Sequence, residues 1–337
     1  MHGCLLRRSV WQATSSLNAL SQFHSGSNCQ AKRAISSVSH SENANLDAFR
    51  DAAFIPELPL LIRGSHTLTP ATKWFTHEQG ASASLGTHLT HFHDMLFPYE
   101  LVQSTGSHRK DPISSFADWL RPEHPDLALH LLNNVFCDTR PSSTLQATFH
   151  QFHAPLGLLE QATVYNTTVD DKHRVKRLYI AQSQLNELPQ ALQDDLSVPA
   201  IVKGAGKGDV YDSSIWLGLE PTYTPLHRDP NPNLFVQLLS NKTVRLLKPS
   251  LGQQLYTRVQ QQLGFRGNSR FRGAEMMSGP ERAALYDAIW GVGQSGDILE
   301  AVLEPGDALF IPKGWWHSVQ SNFDDGRLNA SVNWWFR

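Results

Sequence analysis

Three cysteines in 337 residues, Cys4, Cys29 and Cys137, are too few for a disulfide framework and leave no thiolate-rich set for structural zinc. A reducing compartment is the expected setting. Long apolar runs are missing too. None approaches the roughly 20 residues that a membrane-crossing helix needs, so no membrane partner is expected. Neither sign of charge dominates: 29 Lys and Arg stand against 31 Asp and Glu, a formal net charge of −2. That balance excludes a global attraction to nucleic acid or anionic lipid, and no stable DNA binding is expected. What remains is an ordinary globular composition, 40% hydrophobic, with length enough to bury a substantial core. No internal repeat and no linker divides it, which favours one folded domain.

One absence is local. Residues 1–41 contain no Asp or Glu, yet they hold Arg7, Arg8, Lys32 and Arg33 and are rich in serine. This is the composition of a mitochondrial transit peptide, and residues 4–11 could form a short basic amphipathic helix. A disordered serine-rich tail is the alternative, with a cytoplasmic or nuclear location in its train. Residues 1–43 are therefore set apart as a leader, and residues 44–337 are read as the folded domain.

Within that domain the signals shift from helical to β. Residues 58–64 and 177–182 read as strands, and residues 112–120 as a helix with Phe116, Trp119 and Leu120 on one face. Residues 143–162 and 184–195 also read as helical. From residue 209 onward, short apolar runs separated by turn residues predict a series of strands: 215–219, 234–239, 243–247, 298–303, 307–311 and 328–336. The stretch 250–296 interrupts the series with a Gly/Arg-rich piece (264–273) and a helix-like piece (280–290). Many short strands preceded by helices predict a mainly β fold, a closed double-sheet jelly roll with an N-terminal helical layer.

The chemistry gathers in two runs. The first is Thr224-Pro225-Leu226-His227-Arg228-Asp229-Pro230, in which His227 and Asp229, two apart, would leave the same face of an extended strand. The second is Gly306-Asp307-Ala308-Leu309-Phe310-Ile311-Pro312-Lys313-Gly314-Trp315-Trp316-His317, which offers a second imidazole on a distant strand. Two imidazoles and one carboxylate with open positions opposite form the facial triad of non-haem Fe(II) oxygenases. His124-Pro125-Asp126 shares the His-x-Asp pattern but sits in a proline-rich turn without a partner, and reads as surface. Residues 90–94 and 150–153 look ligand-like only at a glance and are assigned surface or capping roles. Gly204-Ala205-Gly206-Lys207-Gly208 lacks the first glycine and the Ser/Thr of a phosphate loop. The basic run 172–177 reads as a solvated face, with an acidic substrate or RNA as the alternative.

Residues 209–336 resemble the Jumonji-C (JmjC) domain of the cupin-like 2-oxoglutarate oxygenases. The likeness rests on Trp216-Leu217-Gly218, the His227 run, Asn233-Leu234-Phe235-Val236-Gln237, Asn241-Lys242-Thr243-Val244-Arg245-Leu246, the His317 run, and Ser331-Val332-Asn333-Trp334-Trp335. Weaker similarity reaches residues 58–64, Trp74 and residues 179–182. The resemblance implies a double-stranded β-helix (jelly roll, or cupin) core with N-terminal helices. It also implies Fe(II) held by His227, Asp229 and His317, with 2-oxoglutarate as cosubstrate and O2 as oxidant. Lys242, fifteen residues after His227, would pair with the distal carboxylate of 2-oxoglutarate, and Thr224 would share it. Asn233 and Tyr179 match polar positions near the cosubstrate, and Trp216 a pocket wall. A plain turn lysine is the alternative for Lys242, and core packing is preferred for Trp315, Trp334 and Trp335.

The expected activity is hydroxylation of a protein side chain or a tRNA base. Demethylation of N-methyl-lysine in histones or other proteins is the alternative, set back by the lack of zinc reader modules, by the leader, and by Asp in place of Glu among the ligands. A non-catalytic cupin-like binding module is the remaining possibility, and the intact ligand set argues against it.

Overall fold

The strand Leu328–Phe336 shows how the sequence builds its sheets. Leu328, Ala330, Val332, Trp334 and Phe336 alternate with Asn329, Ser331, Asn333 and Trp335, so one face is apolar and the other largely polar. The computed structural model describes residues 35–42, 45–64, 68–77, 82–103, 111–136, 148–264, 277–291 and 297–337. In it, this strand lies in the middle of a nine-stranded sheet. On one side it pairs antiparallel with Asn233–Leu239, which is followed outward by Ala308–Ile311, Leu60–Ile62 and the two-residue strand His40–Ser41. On the other it pairs with Val210–Leu219, followed by Leu178–Gln184, Leu96–Gln103 and Thr148–Pro155.

A five-stranded sheet runs in the order Ser36–Ser37, Leu299–Leu303, Lys242–Leu247, Trp316–Ser321, Tyr223–Arg228. Phe235, Leu309 and Ile311 of the larger sheet meet Val244, Leu246 and Val319 of the smaller in one buried cluster. The apolar faces turned away from that contact are covered by helices. Leu234, Val236, Val332 and Trp334 pack with Phe116, Leu120, Leu158 and Leu159 of the helices Pro112–Leu120 and Leu156–Thr168. Leu226 and Trp316 pack with Tyr256, Val259, Leu285 and Ile289 of the helices Pro249–Leu263 and Gly279–Trp290. Trp316 and Trp334 are fully buried; burying a large apolar side chain of this kind contributes roughly 1.5–3 kcal/mol. The result is the jelly-roll core expected from the strand series, walled by helices.

Two sequence-level assignments change. The stretch 143–162, read as helix, contains the strand Thr148–Pro155 and only then the helix Leu156–Thr168; residues 143–147 lie outside the described residues. Phe152 and Ala154 are buried while Gln151 and His153 are exposed, a period of two that pairing with Leu96–Gln103 along the whole strand enforces. The segment set aside as a leader also ends too late. Ser36–Ser37 pairs parallel with Leu299 and Glu300, His40–Ser41 pairs parallel with Leu61 and Ile62, and Val38 between them is buried. All described residues fall in one compact unit, Lys32–Arg337. The leader residues 1–34 lie outside the described residues, as do Cys137 and most of the Gly/Arg-rich piece. Residues 184–195 resolve into a single 3-10 turn, Leu185–Glu187, and a short helix, Gln190–Asp195. No described helix is long and apolar enough to cross a membrane.

Candidate metal centre

The strand Tyr223–Arg228 pairs antiparallel with Trp316–Ser321, and His227 stands directly opposite His317. Cross-strand neighbours on one face lie close enough to share a ligand, and the two imidazole rings are 4.2 Å apart between centroids. Between Thr224 and His227 the ladder carries one extra residue, a β-bulge. Asp229 follows the strand end. Its carboxylate oxygens lie 3.8 Å from His227 Nε2 and 3.6 Å from His317 Nε2. One ligand atom from each residue falls within 4.8 Å of the others, and among the described residues this is the sole such His/Cys/Asp/Glu group.

The surroundings fix how each ligand is presented. His227 Nδ1 contacts Pro225 O at 2.8 Å and His317 Nδ1 contacts Trp315 O at 3.2 Å. With Nδ1–H donated to a carbonyl, the lone pair sits on Nε2, the atom that faces Asp229. Burial, and then the charge of His317, lower the His227 pKa to about 4, so its ring is neutral at physiological pH. For Asp229 burial works against ionisation, but His317 and His227, with the donors Trp335 and Asn233, outweigh it and hold the carboxyl below its usual range. The donors are close: Trp335 Nε1 at 2.7 Å and Asn233 Nδ2 at 3.2 Å, both to Asp229 Oδ2. Two imidazoles and a carboxylate, with no thiolate, suit a borderline divalent ion such as Fe(II).

The cluster opens into a cavity of about 360 Å³ that also reaches Lys242, Tyr179, Trp216, Thr224 and Phe235. Lys242 is 3% exposed. Its ammonium donates to Tyr179 Oη at 2.9 Å and to Ser331 Oγ at 2.8 Å, both neutral hydroxyls, and it makes no ion pair among the described residues. Burial lowers its pKa to about 7, against a smaller opposing effect of Glu220. Burial likewise pushes the Tyr179 phenol well above its usual value, so it stays protonated. Trp216 Nε1 and Asn333 Oδ1 are buried without a partner, and both residues line the cavity. A buried cation held by two hydroxyls, beside the unpartnered donor Trp216 Nε1, fits an anionic guest.

The cavity thus brings together all eight residues singled out in the sequence: His227, Asp229, His317, Lys242, Thr224, Asn233, Tyr179 and Trp216. Asn233 differs in detail, since its hydrogen bonds go to Asp229 and to Asn333. Trp335, expected in the core, instead lines the cavity and holds Asp229. Ser331 and Asn333 were not singled out. The polar–apolar alternation of Ser331-Val332-Asn333-Trp334-Trp335 was the available signal, because it puts 331, 333 and 335 on one face. The other tryptophans follow expectation: Trp334 is fully buried, and Trp315 is buried with Nε1 donating to Glu57 O. His124 and Asp126 start the helix Pro125–Val135 and belong to no three-ligand group among the described residues. In the basic run, Lys176 pairs with Asp171 and Arg174 donates to backbone carbonyls.

A domain family described as "Cupin-like domain" matches residues 46–337. The chain belongs to the JmjC-type cupin-like family. Among its relatives, Lysine-specific demethylase 8 of Danio rerio is 32% identical over 161 residues, 47% of this chain and 36% of that protein. Lysine-specific demethylase JMJ30 of Arabidopsis thaliana is 28% identical over 158 residues, 47% of this chain and 33% of that protein. Jumonji C domain-containing protein 5 of Drosophila melanogaster is 29% identical over 160 residues, again 47% of this chain and 36% of that protein. The matches span about a third of the length of these relatives.

Proposed function

We propose that this JmjC-type protein is an Fe(II)- and 2-oxoglutarate-dependent oxygenase that hydroxylates a side chain of a protein substrate. One observation carries the reading: a single cavity holds both the His227–Asp229–His317 cluster and a buried lysine that has no carboxylate partner among the described residues. Bound iron would supply dioxygen activation coupled to the decarboxylation of 2-oxoglutarate to succinate and CO2.

The residues of the chain do the rest. His227 and His317, turned by their carbonyl contacts, would present two nitrogen ligands from one face, and Asp229 the third ligand. Asn233 and Trp335 restrain the carboxylate and keep it ionised, which preorganises the ligand set. Lys242 would take the distal carboxylate of 2-oxoglutarate, with Thr224 and Tyr179 as hydroxyl partners on the same anion. Trp216 and Phe235 form apolar wall that keeps water from the reacting carbon.

The names of the relatives favour a second reading, N-methyl-lysine demethylation, which starts from the same C–H oxidation and ends in loss of formaldehyde. Incubating the protein with Fe(II), 2-oxoglutarate and separated protein and RNA pools distinguishes the outcomes by mass: a gain of one oxygen, or loss of a methyl group. Iron-dependent succinate formation is expected in the wild type and not in His227→Ala; equal turnover in both would sink the oxygenase reading.

A further inference from the structure

Behind the metal-facing cavity, and lining no part of it, lies a buried carboxylate. Glu220 follows the strand Val210–Leu219 and is fully buried. Both of its carboxyl oxygens accept hydrogen bonds. Oε1 takes Ser240 Oγ at 2.6 Å and Asn329 Nδ2 at 2.8 Å, and Oε2 takes Phe323 N at 2.8 Å. Three donors converging on two oxygens fit an ionised carboxylate. Burial raises its pKa, while these donors and the charge of Lys242 oppose that effect.

The same donors place Glu220 one strand step from Lys242. Asn329 and Ser331 are two apart on the strand Leu328–Phe336, so they leave the same face about 7 Å apart. Asn329 donates to Glu220, and Ser331 accepts from Lys242. Ser240 likewise stands two residues before Lys242, at the turn into the strand Lys242–Leu247. Its backbone is left-handed at φ 59°, a conformation serine seldom adopts, and its hydroxyl is tied to Glu220. Among the described residues no hydrogen bond or ion pair joins Glu220 to Lys242 directly. The other titratable groups that face the pair have their own settings. Arg327 is paired with Asp325 at 2.6 Å, and burial keeps the Tyr179 phenol protonated. Glu100, which acts on Tyr179, is pushed by burial toward its neutral form.

We propose that Glu220 is a positioning residue for cosubstrate binding: anchored by Ser240, Asn329 and Phe323, it balances the charge of Lys242 from a distance and leaves the ammonium's donors for the distal carboxylate of 2-oxoglutarate. The inference rests on the oxygenase reading above. A carboxylate in direct contact would occupy Lys242 and compete with the guest. An uncharged residue in its place would let the buried ammonium shed its proton more readily. At one strand step, in an interior that screens poorly, a unit charge moves its neighbour's titration by roughly one pH unit.

Two measurements test this on the full chain. The first is the titration of Lys242 in the ligand-free protein, followed by the 15N resonance of its Nζ and assigned by its loss in Lys242→Met. The midpoint near 7 should fall by about one pH unit in Glu220→Gln. The second is calorimetric binding of 2-oxoglutarate in the presence of Mn(II). Glu220→Gln should bind within about twofold of the wild type at pH 6, where Lys242 is charged in most molecules, and about fivefold or more weakly at pH 8.5. Glu220→Asp keeps the charge, so its affinity should run parallel to that of the wild type between those pH values, and this comparison decides alone if Glu220→Gln does not fold. An unmoved Lys242 midpoint, the same loss of affinity at both pH values, or a Glu220→Asp profile that is not parallel would overturn the role of Glu220 and leave the oxygenase reading standing. Absence of 2-oxoglutarate binding by the wild type would instead remove the oxygenase reading, and with it this one.

Discussion

Asn233 and Trp335 face each other directly across two antiparallel strands, and their side chains converge on one atom, Oδ2 of Asp229. The pair is a clamp on the carboxylate that completes the candidate metal-binding group. Outer hydrogen bonds of this kind typically alter metal affinity by roughly 10–100-fold. Trp335→Phe keeps the ring and removes the donor, so Fe(II) or Co(II) affinity, measured by titration, should fall by about tenfold. Asn233→Ala should act in the same direction and should also leave Asn333 without its partner. Unchanged affinity in both variants would mean that Asp229 is positioned by the backbone alone.

Lys242 predicts a pH dependence. Its ammonium titrates near 7 in the ligand-free protein, whereas an unfolded lysine keeps its proton to about 10.4. The unfolded chain therefore binds more protons between those values, and ligand-free stability should rise with pH from about 7 toward 10. Affinity for 2-oxoglutarate should move the other way. Binding the dianion restores the charged form, so above pH 7 each complex takes up a proton and the affinity should drop by up to about tenfold per pH unit. Calorimetry in two buffers of different ionisation enthalpy measures that proton directly, and none should be taken up by Lys242→Met.

Gly218 predicts a packing limit. It pairs with Tyr179 across the ladder, and a Cβ there would stand 2.4 Å from Leu178 O and 2.5 Å from Tyr179 Cα. Backbone cannot yield as a side-chain tip can. Gly218→Ala should cost about 3 kcal/mol in denaturant unfolding and should weaken 2-oxoglutarate binding by displacing Tyr179. Wild-type stability in this variant would show that the two strands separate freely.

The N-terminal boundary gives the last prediction. Deleting residues 1–34 leaves the strands Ser36–Ser37 and His40–Ser41 in place, while deleting residues 1–41 removes both together with Val38. The shorter deletion should retain the melting temperature of the full chain, and the longer one should lower it by several degrees. We further propose that residues 1–34 direct the chain to mitochondria. Fractionation of cells expressing the shorter deletion should then find it outside that organelle, and an unchanged location would refute the address.

Much of the site was legible because ligand chemistry constrains residue type and spacing together. His227, Asp229 and His317 could be picked out by their strand-and-turn settings, whereas Lys242 was marked by the family resemblance and not by period. The misses share a cause. Thr148–Pro155 carries no strong period of its own and is made a strand by the neighbour it pairs with. Trp335 was assigned to the core by hydrophobicity, although the parity of its strand sends it to the same face as Ser331 and Asn333.

Parity also explains what a regular strand could not. Thr224 and His227 are three residues apart, so on an even ladder they would face opposite sides of the sheet. Both nevertheless line the same cavity. The extra residue between them shifts the strand by half a period, sending Leu226 outward to Trp316 and bringing His227 inward to His317. The candidate metal-binding group is in this sense a matter of phase. Deleting a single residue there would leave every ligand in the sequence and would turn one of them to the wrong side of the protein.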